Sequence, residues 1–201
     1  MNSTNLFDRI RFRGQPKANR NSVVVHDRAR FTVLTPRLLR LEWSETGDFE
    51  DRSTYAFPTH HVETPPSFET RQEDGTRIIE TDALKLRYTP DGEAFHAENL
   101  SITFDLKGER MTWQPGMSNP GNLRGTRRTL DQCTGDAGLD SGLLSRDGWA
   151  LFDDSENVVF NDDDAHTSSC PVPPGSFRSR DRPHRRRRPR TGPVRRRDRG
   201  G

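Results

Sequence analysis

Apolar and polar residues alternate with a period of two through much of the stretch from about residue 22 to 160. Leu39, Leu41 and Trp43 fall on one parity, with Arg40 and Glu42 on the other. Leu84, Leu86 and Tyr88 repeat the pattern, as do Leu100, Ile102 and Phe104. Val23-Val24-Val25 is a short β-branched run, and Phe31 and Val33 alternate with polar neighbours before a turn at Thr35-Pro36. In an extended chain successive side chains point to opposite faces. This pattern therefore predicts strands with one buried and one wetted face, as in an antiparallel sheet.

The breaks between the runs carry turn chemistry. Glu73-Asp74-Gly75, Pro90-Asp91-Gly92 and Lys107-Gly108 separate candidate strands, and Asp-Gly is a strong hairpin signal. Many short strands and no amphipathic helical window predict an all-β, antiparallel β-sandwich. Residues 114–148 are dense in Pro, Gly, Asn and Asp and read as a long loop region. Strands are expected to return at Trp149-Ala-Leu-Phe152 and at Val158-Val-Phe160.

Composition divides the chain. Hydrophobic residues make up 29% and charged residues 31%, too lean for a core along the whole length. From Phe177 to Gly201 there are 12 Arg against 2 Asp, whereas the preceding 176 residues hold 20 basic and 28 acidic residues. The net charge of +2 thus joins an acidic body to a basic tail. Residues 165–201 are expected to be disordered, because Ser, Pro, Arg and Gly cannot bury enough apolar surface to offset ordering entropy. The expected organisation is a lead-in over 1–21, a sandwich over 22–164 and the tail.

Two cysteines, Cys133 and Cys170, give neither a disulfide framework nor a metal-ligand spacing. No apolar run approaches the roughly 20 residues of a membrane span, and the first ten residues lack the apolar core of a signal peptide. These features read as a soluble, cytoplasmic protein.

Four phrases resemble the N-terminal part of glycoside hydrolase family 31, the α-glucosidases and α-xylosidases. They are Arg30-Phe-Thr-Val-Leu-Thr-Pro-Arg-Leu-Leu-Arg-Leu-Glu42, Phe49-Glu-Asp-Arg52, Asn122-Leu-Arg-Gly-Thr-Arg-Arg-Thr-Leu-Asp131 and Gly142-Leu-Leu-Ser-Arg-Asp-Gly-Trp-Ala-Leu-Phe-Asp-Asp-Ser155. They occur in the family's order. The resemblance implies a galactose-mutarotase-like β-sandwich that precedes a catalytic (β/α)8 barrel, with a parent activity of O-glycosyl hydrolysis in carbohydrate metabolism.

The barrel itself has no counterpart in this sequence. A retaining glycosidase sets two carboxylates about 5–5.5 Å apart across the scissile bond, and no "WxDMNE"-like motif supplies either. A barrel takes about 250 residues, and 46 follow the last matching phrase. The expectation is a fragment cut before its barrel, with no catalytic residue and no turnover alone. A reading-frame shift in a GC-rich gene would account for the Arg-rich tail, since 29 Arg accompany only Lys17, Lys85 and Lys107.

The resemblance places Arg146 and Asp147 at the rim of the barrel's sugar pocket, where guanidinium and carboxylate can bind hydroxyls. The alternative is that Asp147-Gly148 is simply a turn. Asp131 is expected to order its loop by accepting backbone N–H groups, and Gly125 to permit a backbone angle other residues resist. Arg124 stands where the family commonly has glycine. Trp43, Trp113 and Trp149 are expected in the core rather than stacked on sugars.

No cofactor or metal is expected. His60-His61 reads as a solvated loop pair without further ligands, and Asp162-Asp163-Asp164 lacks the glycine and distal Glu of a calcium loop. The expected partner is carbohydrate, through a barrel or by a stand-alone binding module. His184-Arg-Arg-Arg-Arg-Pro-Arg190 and Arg195-Arg-Arg197 add a second possibility, sequence-blind nucleic-acid binding through neutralised phosphates.

Overall fold

The alternating segments become strands in the computed structural model, which describes residues 15–54, 56–125, 138–155, 157 and 159–160, with the backbone of 167–168. Asn19 accepts the Asn21 N–H at 3.0 Å and starts a single 3-10 turn, Arg20–Ser22. The chain then forms β1 (Val23–His26), β2 (Ala29–Thr35) and β3 (Leu38–Trp43), an antiparallel sheet in that order. A second antiparallel sheet follows: β4 (Glu69–Glu73), β5 (Thr76–Glu80), β6 (Leu84–Tyr88), β7 (Leu100–Leu106) and β8 (Glu109–Trp113). A short pair, β9 (Val159–Phe160) and β10 (Thr167–Ser168), stands apart from both.

Turn chemistry sets the registers. Asp74 and Gly75 both take positive φ between β4 and β5, and Lys107 and Gly108 do so between β7 and β8. Two consecutive residues at positive φ match the twist of a tight hairpin, and glycine occupies the second at no steric cost. Pro90-Asp91-Gly92 behaves differently. Here the chain makes a longer connection, in which Asp91 accepts from the Glu93 N–H and the Asn99 side chain, both at 3.1 Å. Carboxylate bonding within the loop replaces a two-residue hairpin.

The apolar parity faces inward as expected. Ile79, Leu86, Ile102 and Trp113 are register partners across β5 to β8, and Phe31 and Val33 pair with Leu41 and Leu39 on the other sheet. The two inner faces meet at the Phe31 ring, whose centroid lies 5.4 Å from Tyr88 and 5.8 Å from Phe95. Burial of one such phenyl group is worth about 1.5–3 kcal/mol. The fold is an all-β, antiparallel two-sheet sandwich.

Two expectations change. Trp149–Phe152 forms no strand; Trp149 packs edge-on to Trp113 at 6.4 Å and Phe152 onto Phe57 at 5.7 Å. Ring contacts, rather than a backbone ladder, hold this stretch. The face of β3 that carries Arg40 and Glu42 is not wetted either, since Glu42 is 8% exposed. The tail over 165–201, Asp131 and the Asp162–Asp164 run fall outside the described residues, apart from the backbone of β10. Among the described residues no helix is long and apolar enough to cross a membrane.

Candidate functional site: a zipped loop pair and a groove along the third strand

Residues 119–124 and 142–149, which include the start of the third phrase and the first part of the fourth, meet in space. Asn122 and Ser145 form an antiparallel bridge, with Leu123 N donating to Leu144 O and Arg146 N to Gly121 O, each at 2.9 Å. Asn122 is buried and bonds through both the oxygen and the nitrogen of its amide. Its Oδ1 accepts from Gly142 N at 2.9 Å and Arg124 N at 2.8 Å, and its Nδ2 donates to Gly142 O at 2.9 Å. Ser145 Oγ donates to Asn119 Oδ1 at 2.7 Å, while Asn119 Nδ2 reaches Trp149 O at 2.8 Å. These side-chain bonds do the work of a ladder between two irregular segments.

Asp147 closes the pair. Its Oδ2 accepts the Gly121 N–H at 2.7 Å, and its own N–H donates to Ser145 Oγ at 3.0 Å. Arg146 points its side chain into solvent, with no ion pair among the described residues. Of the two residues assigned to a rim, the carboxylate therefore holds the loops and the guanidinium belongs to an exposed residue. Gly125 takes φ +115, in the positive-φ region that glycine tolerates. Arg124 sits at φ +57, the region costly for a residue with a Cβ.

A second feature lies beside this one. A groove of about 530 Å³ runs along β3, walled by Leu143 and the Gly148–Ser155 stretch on one side and by Phe49, Phe57 and His60 on another. Arg40 and Glu42, which line it, belong to an ion-pair network that extends to Arg30 and the half-exposed Asp51. Arg30 grips Glu42 through Nε at 2.7 Å and Nη2 at 2.9 Å, and Asp51 through Nη1 at 2.6 Å. Arg40 contacts Glu42 at 2.9 Å and donates to Glu50 O at 2.8 Å. The Arg30 guanidinium also stacks over the Phe49 ring at 4.9 Å.

Burial and pairing compete at each of these groups. Burial works against the charged Arg30, but bonds to Glu42 and Asp51 outweigh it and raise its pKa. Burial wins at Arg40, whose pKa is lowered. Burial also raises the Asp154 carboxyl, against hydrogen bonds from Thr54 at 2.7 Å and Asn157. The bonds from Arg52 hold Glu50 below its usual range.

His60 is the residue whose setting the sequence misjudged. It is 1% exposed, not a solvated loop residue. Burial and then the Arg40 charge push its pKa down to about 4. Nδ1 lies 2.8 Å from Pro16 O, which only accepts, and 3.2 Å from Arg40 Nη1, which only donates; the shorter contact puts the proton of the neutral ring on Nδ1 and leaves the Arg40 contact a close approach without a hydrogen bond. Among the described residues Nε2 is a buried acceptor without a partner. The available signal was the alternation of Arg40 and Glu42 on β3, which needed a covering segment to become buried.

Trp43 and Trp113 are core residues, as expected, and Trp149 is packed against that core. Among the described residues no three His, Cys, Asp or Glu side chains group as a metal-ligand set. No known family model matches the chain, and no curated protein matches it.

Proposed function

We propose that the chain carries the N-terminal, non-catalytic β-sandwich of a family-31 α-glycosidase, galactose-mutarotase-like in topology, whose loops serve the sugar pocket of a catalytic barrel. The observation that supports this reading best is the direct zipping of the two phrases around Asn122 and Asp147. Segments about 20 residues apart in sequence make one structure there, which gives a physical reason for their joint occurrence. In this reading Asp147 fixes the loop pair through Gly121, and the exposed Arg146 is the group that reaches sugar hydroxyls. The parent reaction is hydrolysis of α-glycosides, and this sandwich contributes to binding rather than to bond cleavage.

Purified full-length chain assayed with aryl α-glucosides and α-xylosides tests the non-catalytic assignment. The expected rate is that of buffer; turnover that copurifies with the chain overturns it. Calorimetry with maltose-type and xylose-type sugars separates the main alternative, a stand-alone carbohydrate-binding module, which requires saturable binding without a barrel.

A further inference from the structure

Residues 49–54 and 56–60 form a strap over the Arg40 and Glu42 face of β3 and belong to neither main sheet. One end is held by guanidinium groups, since Arg30 and Arg40 both donate to Glu50 O, at 2.9 and 2.8 Å. The other end is held by the lead-in. Gln15 O accepts from His60 N at 2.8 Å and from His61 N at 3.1 Å, and Gln15 bridges Thr59. The His60 ring pins this junction through its bond to Pro16 O, and His60 is also part of the groove wall.

The pin suits a neutral ring only. With Nδ1 already protonated toward Pro16 O, a second proton goes to Nε2, which is buried and has no acceptor among the described residues. An unpaired buried N–H costs free energy, and a buried charge costs more. That charge would also sit beside Arg40, whose Nη1 is 3.2 Å from Nδ1.

The surrounding groups do not offset it. Arg40 on β3 and Arg30 on β2 both oppose a charged ring, and Asp51 on the strap favours it. Asp51 is half-exposed and already gripped by Arg30 at 2.6 Å. Glu42 is engaged by Arg30 and Arg40, and Glu50 by Arg52. Asp154 bonds Thr54 of the strap, and burial raises its carboxyl, so its titration favours the closed form in acid, the opposite sense. On the lead-in Lys17 is exposed, and the adjoining His61 is half-buried.

We infer that His60 is an acid-released latch: a second ring proton frees residues 56–61 from Gln15 and Pro16 and widens the groove along β3 beside Arg40. The inference does not depend on the family reading. Both sheets stay paired, because their ladders do not run through the strap. An irregular segment opens locally at lower free energy than the whole fold.

Amide hydrogen exchange on the full-length chain at pH 7 and pH 5, corrected for intrinsic rates, tests it. The latched ring takes its proton at about 4 and a released ring at 6.5. Opening should therefore be about 20-fold more frequent at pH 5 than at pH 7. Protection of the His60 and His61 amides, both bonded to Gln15 O, should fall by that factor. At both pH values it should stay at least about a hundredfold below that of Leu86 on the central strand of the five-stranded sheet, the mark of local opening.

His60→Gln, read at the His61 amide, should change less than about threefold between the two pH values, because no ring remains to titrate. A fall as large as in the unaltered chain overturns the latch. So does protection at His60 that ignores pH, or that equals the protection of Leu86. Ring nitrogen shifts of His60 in the unaltered chain give a reading that needs no variant. A ring charged at pH 5 while the His61 amide keeps its protection overturns the inference.

Discussion

The Asp147 carboxylate and the Gly121 peptide nitrogen meet at 2.7 Å, with no room for a side chain between them. A Cβ at position 121 would collide with that carboxylate. Gly121→Ala should therefore destabilise the chain by about 1–3 kcal/mol, the usual cost of forcing atoms into a filled space. Arg146→Ala, one residue from Asp147, should change stability by less than about 0.5 kcal/mol. Urea denaturation of the two variants checks the contrast; equal effects would contradict the division of roles between Arg146 and Asp147.

Arg124 holds a left-handed backbone angle that glycine adopts freely, and its N–H is bonded to Asn122 Oδ1. Arg124→Gly keeps that bond and removes the Cβ strain, while it adds some freedom to the unfolded chain. A net gain of about 0.5–1 kcal/mol is expected, read as a rise in the denaturation midpoint. A lower midpoint would count against strain at this residue.

His60 makes stability depend on pH below neutrality. Its ring is held near pKa 4 in the fold, against 6.5 for an unburied ring. Between those values the unfolded chain binds the proton and the fold does not, so stability falls as pH drops from about 6.5 toward 4. The loss from this group approaches about 3 kcal/mol at the lower end. Thermal unfolding of the protein and of His60→Gln, compared at pH 7 and pH 4.5, measures it: the variant should lose less on acidification. An identical loss in both would place the acid sensitivity elsewhere.

The Arg30–Glu42 pair is bidentate, with both side chains about nine-tenths buried. Arg30→Met leaves the buried Glu42 facing Arg40 alone, while the half-exposed Asp51 turns to solvent, and should cost about 3–5 kcal/mol. Arg30→Lys should be almost as damaging, because a point charge cannot replace the two-pronged guanidinium. Chemical denaturation of the Lys variant is the sharper measurement; near-native stability would contradict the assigned geometry.

Local pattern made the sheets readable. The period-two parity of Leu39, Leu41 and Trp43, and of Leu84, Leu86 and Tyr88, names one face of each strand, and Asp74-Gly75 and Lys107-Gly108 name the hairpins. What covers the opposite face is a non-local matter. Arg40 and Glu42 read as wetted because nothing adjacent in sequence says that residues 49–60 fold over them, and His60 was misplaced for the same reason. Trp149–Phe152 looked like a strand since apolar density alone does not tell a ladder from a stretch held by ring contacts. The bond of Asp147 to Gly121 joins residues 26 positions apart, which no local pattern names.

The most direct test of the central claim is the DNA that follows the Asp164 codon, translated in all three frames. A family-31 sandwich predicts that one frame encodes a (β/α)8 barrel with the paired catalytic carboxylates, one of them in a WxDMNE-like motif. Absence of a barrel from every frame would contradict the assignment.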